Sequence, residues 1–332
     1  MRLLKKLLVF LAILLLIYFL GPHPQKPDYS TVLPAVPATT DSIDRYVASL
    51  EAAHTIKPDN EARVVWANDS LHGKTPYAIV YLHGFSASQE EGDPVHRNLA
   101  KQFGANLYLA RLSEHGIDTS DALLNMTATS LWETAKEAYA IGKQLGDKVI
   151  VMGTSTGGTL ALMLAASYPE IAGLVLLSPN IAINDPNAWI TNNPWGLQIA
   201  RLVKGGKMNI IPNKTDEYKK YWNAAYRLEA VTELQELLET TMNKNTFQKI
   251  HQPLLILYYY KNEKEQDPVV KVSEMKKMFE QVSTPADLKK MAAIPNAASH
   301  VLGSPIQSKD IVTVEKEAAA FLSNTMKLVK ME

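Results

Sequence analysis

The stretch VIVMGTSTGGTLALMLAASYP, residues 149–169, limits the fold more than any other part of the chain. Val149 to Met152 form an apolar, largely β-branched run ending at Gly153, the pattern of a buried strand. From Thr156 to Tyr168 the chain is rich in Ala and Leu and reads as a helix. Between them, G153-T154-S155-T156-G157 has the form G-x-S-x-G. On a sharp strand-to-helix turn that pentapeptide holds its serine in a strained conformation, with Oγ projecting above the sheet edge. Such a bend tolerates no bulky neighbours, and Gly153 and Gly157 supply none, while Gly158 permits closer packing. The helix that starts beside Ser155 also aims free backbone N–H groups at the same point. The pentapeptide alone is a common sequence; its weight comes from standing between a buried strand and a helix.

The rest of the chain alternates in the same manner. Residues 62–67, 77–84, 105–110, 148–153, 173–179, 254–260 and, more weakly, 289–295 read as strands. Helices are expected at 94–103, from Ser130 to about Leu145 behind a capping box formed by Ser130 and Glu133, at 156–168, and near 310–326. Short apolar runs alternating with amphipathic helices predict an α/β fold with a mostly parallel sheet covered on both faces. Ligands in such folds bind at the carboxyl ends of the strands, where Ser155 sits.

With 332 residues, 46% of them apolar, the chain has room for one large α/β domain or two small ones, and no internal repeat is present. Its 34 Lys and Arg balance its 34 Asp and Glu, and no local basic patch stands out, so no nucleic-acid partner is expected. The absence of cysteine excludes disulfides, thiolate metal sites and a cysteine nucleophile.

At the start of the chain Arg2, Lys5 and Lys6 precede an apolar run from Leu7 to Leu20. Its length suits a signal-peptide core and approaches the ~20 residues of a membrane span once the lysines snorkel. No small-residue cleavage site follows, so an uncleaved signal anchor is favoured over a cleaved signal peptide. Either one keeps the basic end cytoplasmic and exports the remainder. Residues 21–40 carry Pro22, Pro24, Pro27, Pro34 and Pro37 and read as a stiff spacer. The expected organisation is an anchor over 1–20, a spacer over 21–40 and one α/β domain over 41–332 with an insertion at about 181–250.

A serine hydroxyl needs a base, and the base needs an orienting carboxylate. In a fold of this kind the chain order is serine, acid, histidine. Two histidines follow Ser155. His251 precedes the strand at 254–260 and belongs to the wrong end of the sheet, whereas His300 in NAASHVLGS follows 289–295 at the carboxyl end. His300 is the expected base. For the acid, Glu263, Glu265 and Asp267 compete in KNEKEQDPVV. Asp267 is favoured, because Pro268, Val269 and Val270 turn the chain back into the fold, while the glutamates lie among lysines. The oxyanion requires two fixed N–H donors, expected from the Thr156 amide and from the Phe85 amide in LHGFSAS. His83 is expected to brace that loop.

Taken together, YLHGF (81–85), GTSTG (153–157), Asp267 and ASHVL (298–302) resemble the α/β-hydrolase superfamily, particularly its carboxylesterase and monoacylglycerol-lipase-like members. The resemblance runs from about residue 60 to the end. It implies an eight-stranded core, a Ser155–Asp267–His300 triad, and oxyanion amides at Phe85 and Thr156. It departs at Thr156, where many relatives carry a bulkier residue, and at ARLSEHG (110–116), where lipase-like relatives have an Asp-rich segment ending in GHG. His115 and Gly116 match, and His115 reads as a brace for a pocket loop. The insertion at about 181–250 resembles a helical cap, and its Trp189, Trp195, Trp222, Tyr218, Tyr221 and Tyr226 suit an apolar acyl group or serve only to pack the cap.

The resulting expectation is a membrane-anchored or exported serine hydrolase that cleaves carboxylic esters of small molecules through an acyl-enzyme, with no metal or organic cofactor. The alternatives are a thioesterase, amidase or peptidase on the same triad, or a binding protein that only keeps the scaffold.

Overall fold

The alternation of apolar runs and amphipathic segments forms a seven-stranded sheet with helices on both faces. This computed structural model describes residues 2–331. In chain order come α1 (Arg2–Phe19), α2 (Thr40–Glu51), β1 (Arg63–Val65), β2 (Thr75–Leu82), α3 (Val95–Gln102) and β3 (Asn106–Leu109). Next are α4 (Ala128–Leu145), β4 (Gly146–Thr154), α5 (Thr156–Ser167) and β5 (Gly173–Leu177). The segment inserted after β5, expected as a cap, contains α6 (Gly196–Lys204), β6 (Met208–Ile210), α7 (Asp216–Tyr221), β7 (Ala225–Arg227) and α8 (Leu228–Thr241). The chain closes with α9 (Lys244–Phe247), β8 (Leu254–Tyr258), α10 (Val272–Gln281), β9 (Lys289–Ala293) and α11 (Ile311–Ala320).

The sheet order is β1-β3-β2-β4-β5-β8-β9; β1 runs antiparallel to β3 and every other pairing is parallel. Because side chains alternate along a strand, the apolar runs feed two cores. Ala78, Val80 and Leu82 of β2 and Val149 and Val151 of β4 pack in the core shared with α2, α4 and α8. Ile79, Tyr81, Ile150 and Met152 point the other way, into the core shared with α3 and α11.

Several expectations are corrected. The sheet has seven strands rather than eight. Ahead of β1, Ile56 makes only an isolated antiparallel bridge to Ile117. Pro58 offers no N–H and Asp59 turns to φ 65°, so no edge strand can continue there. Helix α4 starts before Ser130: Thr127 is its cap, with Thr127 Oγ1 accepting from the Ser130 amide and Ser130 Oγ accepting from the Thr127 amide, both at 3.0 Å. Glu133, the expected partner of Ser130, instead pairs with Lys136 at 2.8 Å.

The N-terminal segment also differs from its expected form. Helix α1 has 18 residues, about 27 Å at 1.5 Å per residue, and three of them are cations within its first turns. Among the described residues no helix is long and apolar enough to cross a membrane, so the expected spanning anchor is not supported. The proline-rich segment is extended, as its composition predicts, yet it does not stand free of the domain. The Trp132 indole donates to Ser30 O, the Tyr168 hydroxyl to Thr31 O (both 2.8 Å) and Lys136 Nζ to Val32 O at 3.0 Å. Tyr29, Leu33 and Val36 pack on the core. It is a strap, because buried donors of α4 and of Tyr168 just past α5 need carbonyls that an extended chain leaves free.

Candidate active site

The turn between β4 and α5 is strained as the glycines foretold. Ser155 sits at φ 52°, ψ −116°, a conformation costing about 1–3 kcal/mol that the surroundings must enforce. Its amide donates to Leu177 O of β5, and its carbonyl accepts from the Gly158 and Asn180 amides, all at 2.9 Å. A Cβ on Gly157 would collide with Leu82 O of β2, so only glycine lets α5 approach the end of that strand.

Asp267 follows β8 in a tight turn. Its carboxylate is buried: Oδ1 accepts from the Val269 amide at 2.8 Å and the Val270 amide at 3.1 Å, and Oδ2 meets His300 Nδ1 at 2.7 Å. The two turn amides come from the Pro-Val-Val segment that singled this acid out. Glu263 is exposed and accepts from the Tyr260 hydroxyl, and Glu265 pairs with Lys261 and Asn262, so neither reaches the histidine. His251 lies at the amino end of β8, exposed and away from the pair.

Burial pushes the Asp267 carboxyl upward, but attraction to His300, their hydrogen bond and the two amides outweigh it, so its pKa lies below the ordinary value. For His300, burial favours the neutral ring; the Asp267 charge, their hydrogen bond and the charge of Glu91 outweigh that and raise its pKa above 6.5. A pair with this polarity favours the imidazolium, with Nδ1–H committed to Asp267 and Nε2 left for chemistry.

The loop after β2 completes the arrangement. Neither the Phe85 nor the Thr156 amide finds an acceptor among the described residues. Thr156 opens α5, where first-turn amides lack intrahelical partners. Two histidines brace this loop. His83 Nδ1 donates to Gly84 O at 2.8 Å and its Nε2 accepts from the Leu112 amide at 3.1 Å. His115 Nδ1 donates to Ser113 O at 2.9 Å and its Nε2 accepts from the Ser86 amide at 3.0 Å. Both rings are buried and hold their pKa values below the ordinary one, His115 at about 4, so they act as neutral hydrogen-bonding struts.

The nucleophile, the oxyanion loop and the histidine loop converge on one segment. A methyl group on Gly84 would lie 2.8 Å from Glu91 Oε2 and 3.0 Å from Ser155 Cβ. One on Gly303 would lie 2.8 Å from Gly92 Cα and 3.0 Å from the Glu91 carbonyl. Among the described residues no hydrogen bond joins Ser155 Oγ to His300, and in sites of this type that contact tightens when substrate binds. Glu91 is the site residue that the sequence did not reveal: in SASQEEGDP it looks like one more solvated loop charge, and only the fold buries it.

The cap divides its aromatic residues. Trp222 and Tyr218 stack at 5.1 Å and are buried with Ala87 and Val301, between the oxyanion and histidine loops. Tyr226 meets the Phe85 ring edge-on at 5.0 Å. Trp189 and Trp195 face outward. Among the described residues no group of three or more His, Asp or Glu is arranged to hold a metal ion.

A family model described as alpha/beta hydrolase fold matches residues 77–203. A thermostable monoacylglycerol lipase from Bacillus sp. (strain H-257) is 33% identical over 112 residues, which is 33% of this chain and 43% of the lipase. A probable alcohol acetyltransferase from Saccharomyces cerevisiae is 29% identical over 119 residues, 35% of this chain and 34% of that protein. The chain thus spans less than half the length of the curated relatives it matches. Among solved structures, one reported with the metagenome-derived lipolytic enzymes LipS and LipT superposes with a TM-score of 0.64 at 17% identity, covering 81% of this chain and 99% of the other. The strand order, the strained serine turn and these likenesses agree: the chain has the α/β-hydrolase fold and is similar to carboxylesterase and monoacylglycerol-lipase-like proteins.

Proposed function

We propose that this protein is a serine hydrolase that cleaves carboxylic esters of small molecules, with Ser155 as nucleophile, His300 as base, Asp267 as its orienting acid, and the Phe85 and Thr156 amides as the oxyanion hole. The observation that carries the reading is the buried 2.7 Å bond between Asp267 Oδ2 and His300 Nδ1, on the same sheet edge as the strained Ser155 turn. Ser155 Oγ attacks the ester carbonyl as His300 Nε2 takes its proton, and the negative oxygen is received by the two free amides. The imidazolium gives that proton to the departing alkoxide, leaving an acyl-serine. Water then attacks the acyl group, losing a proton to His300 and releasing the acid with Ser155 restored. Asp267 keeps the Nδ1–H tautomer throughout and steadies the imidazolium.

The aromatic rings of the cap near the oxyanion loop favour an apolar acyl group. Labelling with a fluorophosphonate probe, together with hydrolysis of a p-nitrophenyl ester series, tests the reading. Wild type takes the label and Ser155→Ala does not. A wild type that takes no label and turns over no ester of any chain length ends it.

We also infer that the domain works on the exported side, retained at the membrane or released. Support comes from Arg2, Lys5 and Lys6 ahead of the apolar Leu7–Leu20 run. Cell fractionation with protease protection tests this, and a domain shielded together with cytoplasmic markers overturns it.

A further inference from the structure

We propose that Glu91 is a positioning residue for the ester hydrolysis proposed above: its carboxylate fixes the oxyanion loop through the Gly84 amide and stabilises the imidazolium that His300 becomes during attack. The inference rests on that reading of the site and adds a member outside the triad.

Glu91 lies in the short turn that follows the oxyanion loop, and it is 3% exposed. Burying a carboxylate costs several kcal/mol unless specific partners compensate it. Its partners here are parts of the reaction site. Oε2 accepts from the Gly84 amide at 2.5 Å, a charge-assisted bond one residue before the Phe85 donor. The Trp222 indole and His300 also act on it, both lowering its pKa. Gly303, three residues past the base, packs on the Glu91 carbonyl, so this one residue touches both the oxyanion loop and the histidine loop. Trp222 adds the cap to the same junction.

The titratable groups around it leave His300 as its exchange partner. Tyr81 of β2 and Tyr218 beside Trp222 have pKa values pushed upward by burial, with the Glu91 charge adding to it, so both stay neutral. His83 and His115 on the adjoining loops are pushed downward and also stay neutral. Burial raises Glu91 itself to about 7, against the pull of His300, the Gly84 amide and Trp222. Asp267 neutralises His300 from Nδ1, and Glu91 adds a second negative charge that raises the ring's pKa further. The charge developing on His300 in the transition state therefore lies in the field of two carboxylates, and the second also holds the loop that receives the oxyanion through the Gly84 amide. This work requires Glu91 ionised, so activity needs two protons removed: one from His300 and one from Glu91.

The test is the pH profile of kcat/KM on a p-nitrophenyl ester for wild type, Glu91→Gln and Glu91→Asp, with circular dichroism and thermal melts for each. In Glu91→Gln the rate above pH 8 falls about tenfold or more, and the acid limb moves to lower pH because His300 loses an anion that raised its pKa. Glu91→Asp keeps the limb in place, since the charge stays, while losing rate through its shorter reach. A folded Glu91→Gln whose limb coincides with wild type reduces Glu91 to packing and overturns the proposal. Should Glu91→Gln fail to fold, the wild-type limb decides: a slope near two supports two coupled protons, and a slope of one overturns the role. A wild type inert toward every ester overturns the hydrolase reading itself, whereas an active wild type with an unmoved limb overturns only Glu91.

Discussion

Helices α1 and α5 are both apolar nearly all round, yet ten of the twelve residues of α5 are buried and none of α1. A helix without a polar face must be enclosed by something. For α5 the enclosure is the sheet: Gly157 brings its first turn against Leu82 of β2, and Leu160 and Leu164 lie fully within the core. For α1 the described residues supply almost no enclosure. Its apolar side chains from Leu7 to Leu20 face outward, and its hold on the domain is the bond from the Trp195 indole to Ile17 O at 3.0 Å, with Gly21 against the same ring. Equal hydrophobicity thus says that a helix needs an apolar partner, and the tertiary structure decides whether the chain contains it. The enclosure of α5 has a functional consequence, since a fixed helix start fixes Ser155.

Substitutions in the two helices and in the site beside α5 test the difference between them. The largest effect is expected on the side of the molecule that α5 serves: Asp267→Asn lowers kcat about 10⁴-fold by losing the Nδ1–H tautomer, while deleting residues 2–20 leaves kcat within about twofold. Steady-state assays on both proteins measure this, and an inactive deletion would make α1 part of the working domain. Next, Leu164→Ala costs about 2–5 kcal/mol of stability by opening a cavity in the core, read as a lower urea midpoint. Gly157→Ala costs about 3 kcal/mol by forcing α5 away from β2, and it lowers activity with stability because Ser155 moves too. Last, Leu14→Ala changes stability by no more than about 0.5 kcal/mol. A loss equal to that of Leu164→Ala would mean α1 is enclosed in solution and the comparison fails.

Much of this was legible in the sequence, for local reasons. The strand runs of β2, β4, β5 and β8 are apolar on both faces, so their positions followed from composition alone. Chain order and the preceding strands singled out Ser155, Asp267 and His300, of which the last two are hydrogen-bonded and the first sits in a strained turn. Other features were less local. The cap of α4 lies at Thr127 because two side chains reach back reciprocally, a pairing as available to Ser130 and Glu133 by pattern. The missing edge strand depends on a positive φ at Asp59, which the sequence leaves open. The strap over residues 28–36 was readable as extended but not as docked, because its partners Trp132 and Tyr168 lie more than a hundred residues away.

By itself the sequence determined the α/β alternation, the glycine-flanked bend that strains Ser155, and the place of that bend at the carboxyl end of the sheet. Each of these depends on neighbours within a few residues, where steric and hydrogen-bonding rules act directly. Only the tertiary structure decided that Glu91 is buried between the loops of Phe85 and His300, that burial keeps the bracing His83 and His115 neutral, and that α1 finds no core among the described residues. Those outcomes depend on which distant segments arrive at the same place, and burial, with the pKa shifts it causes, belongs to that assembly rather than to any residue in it.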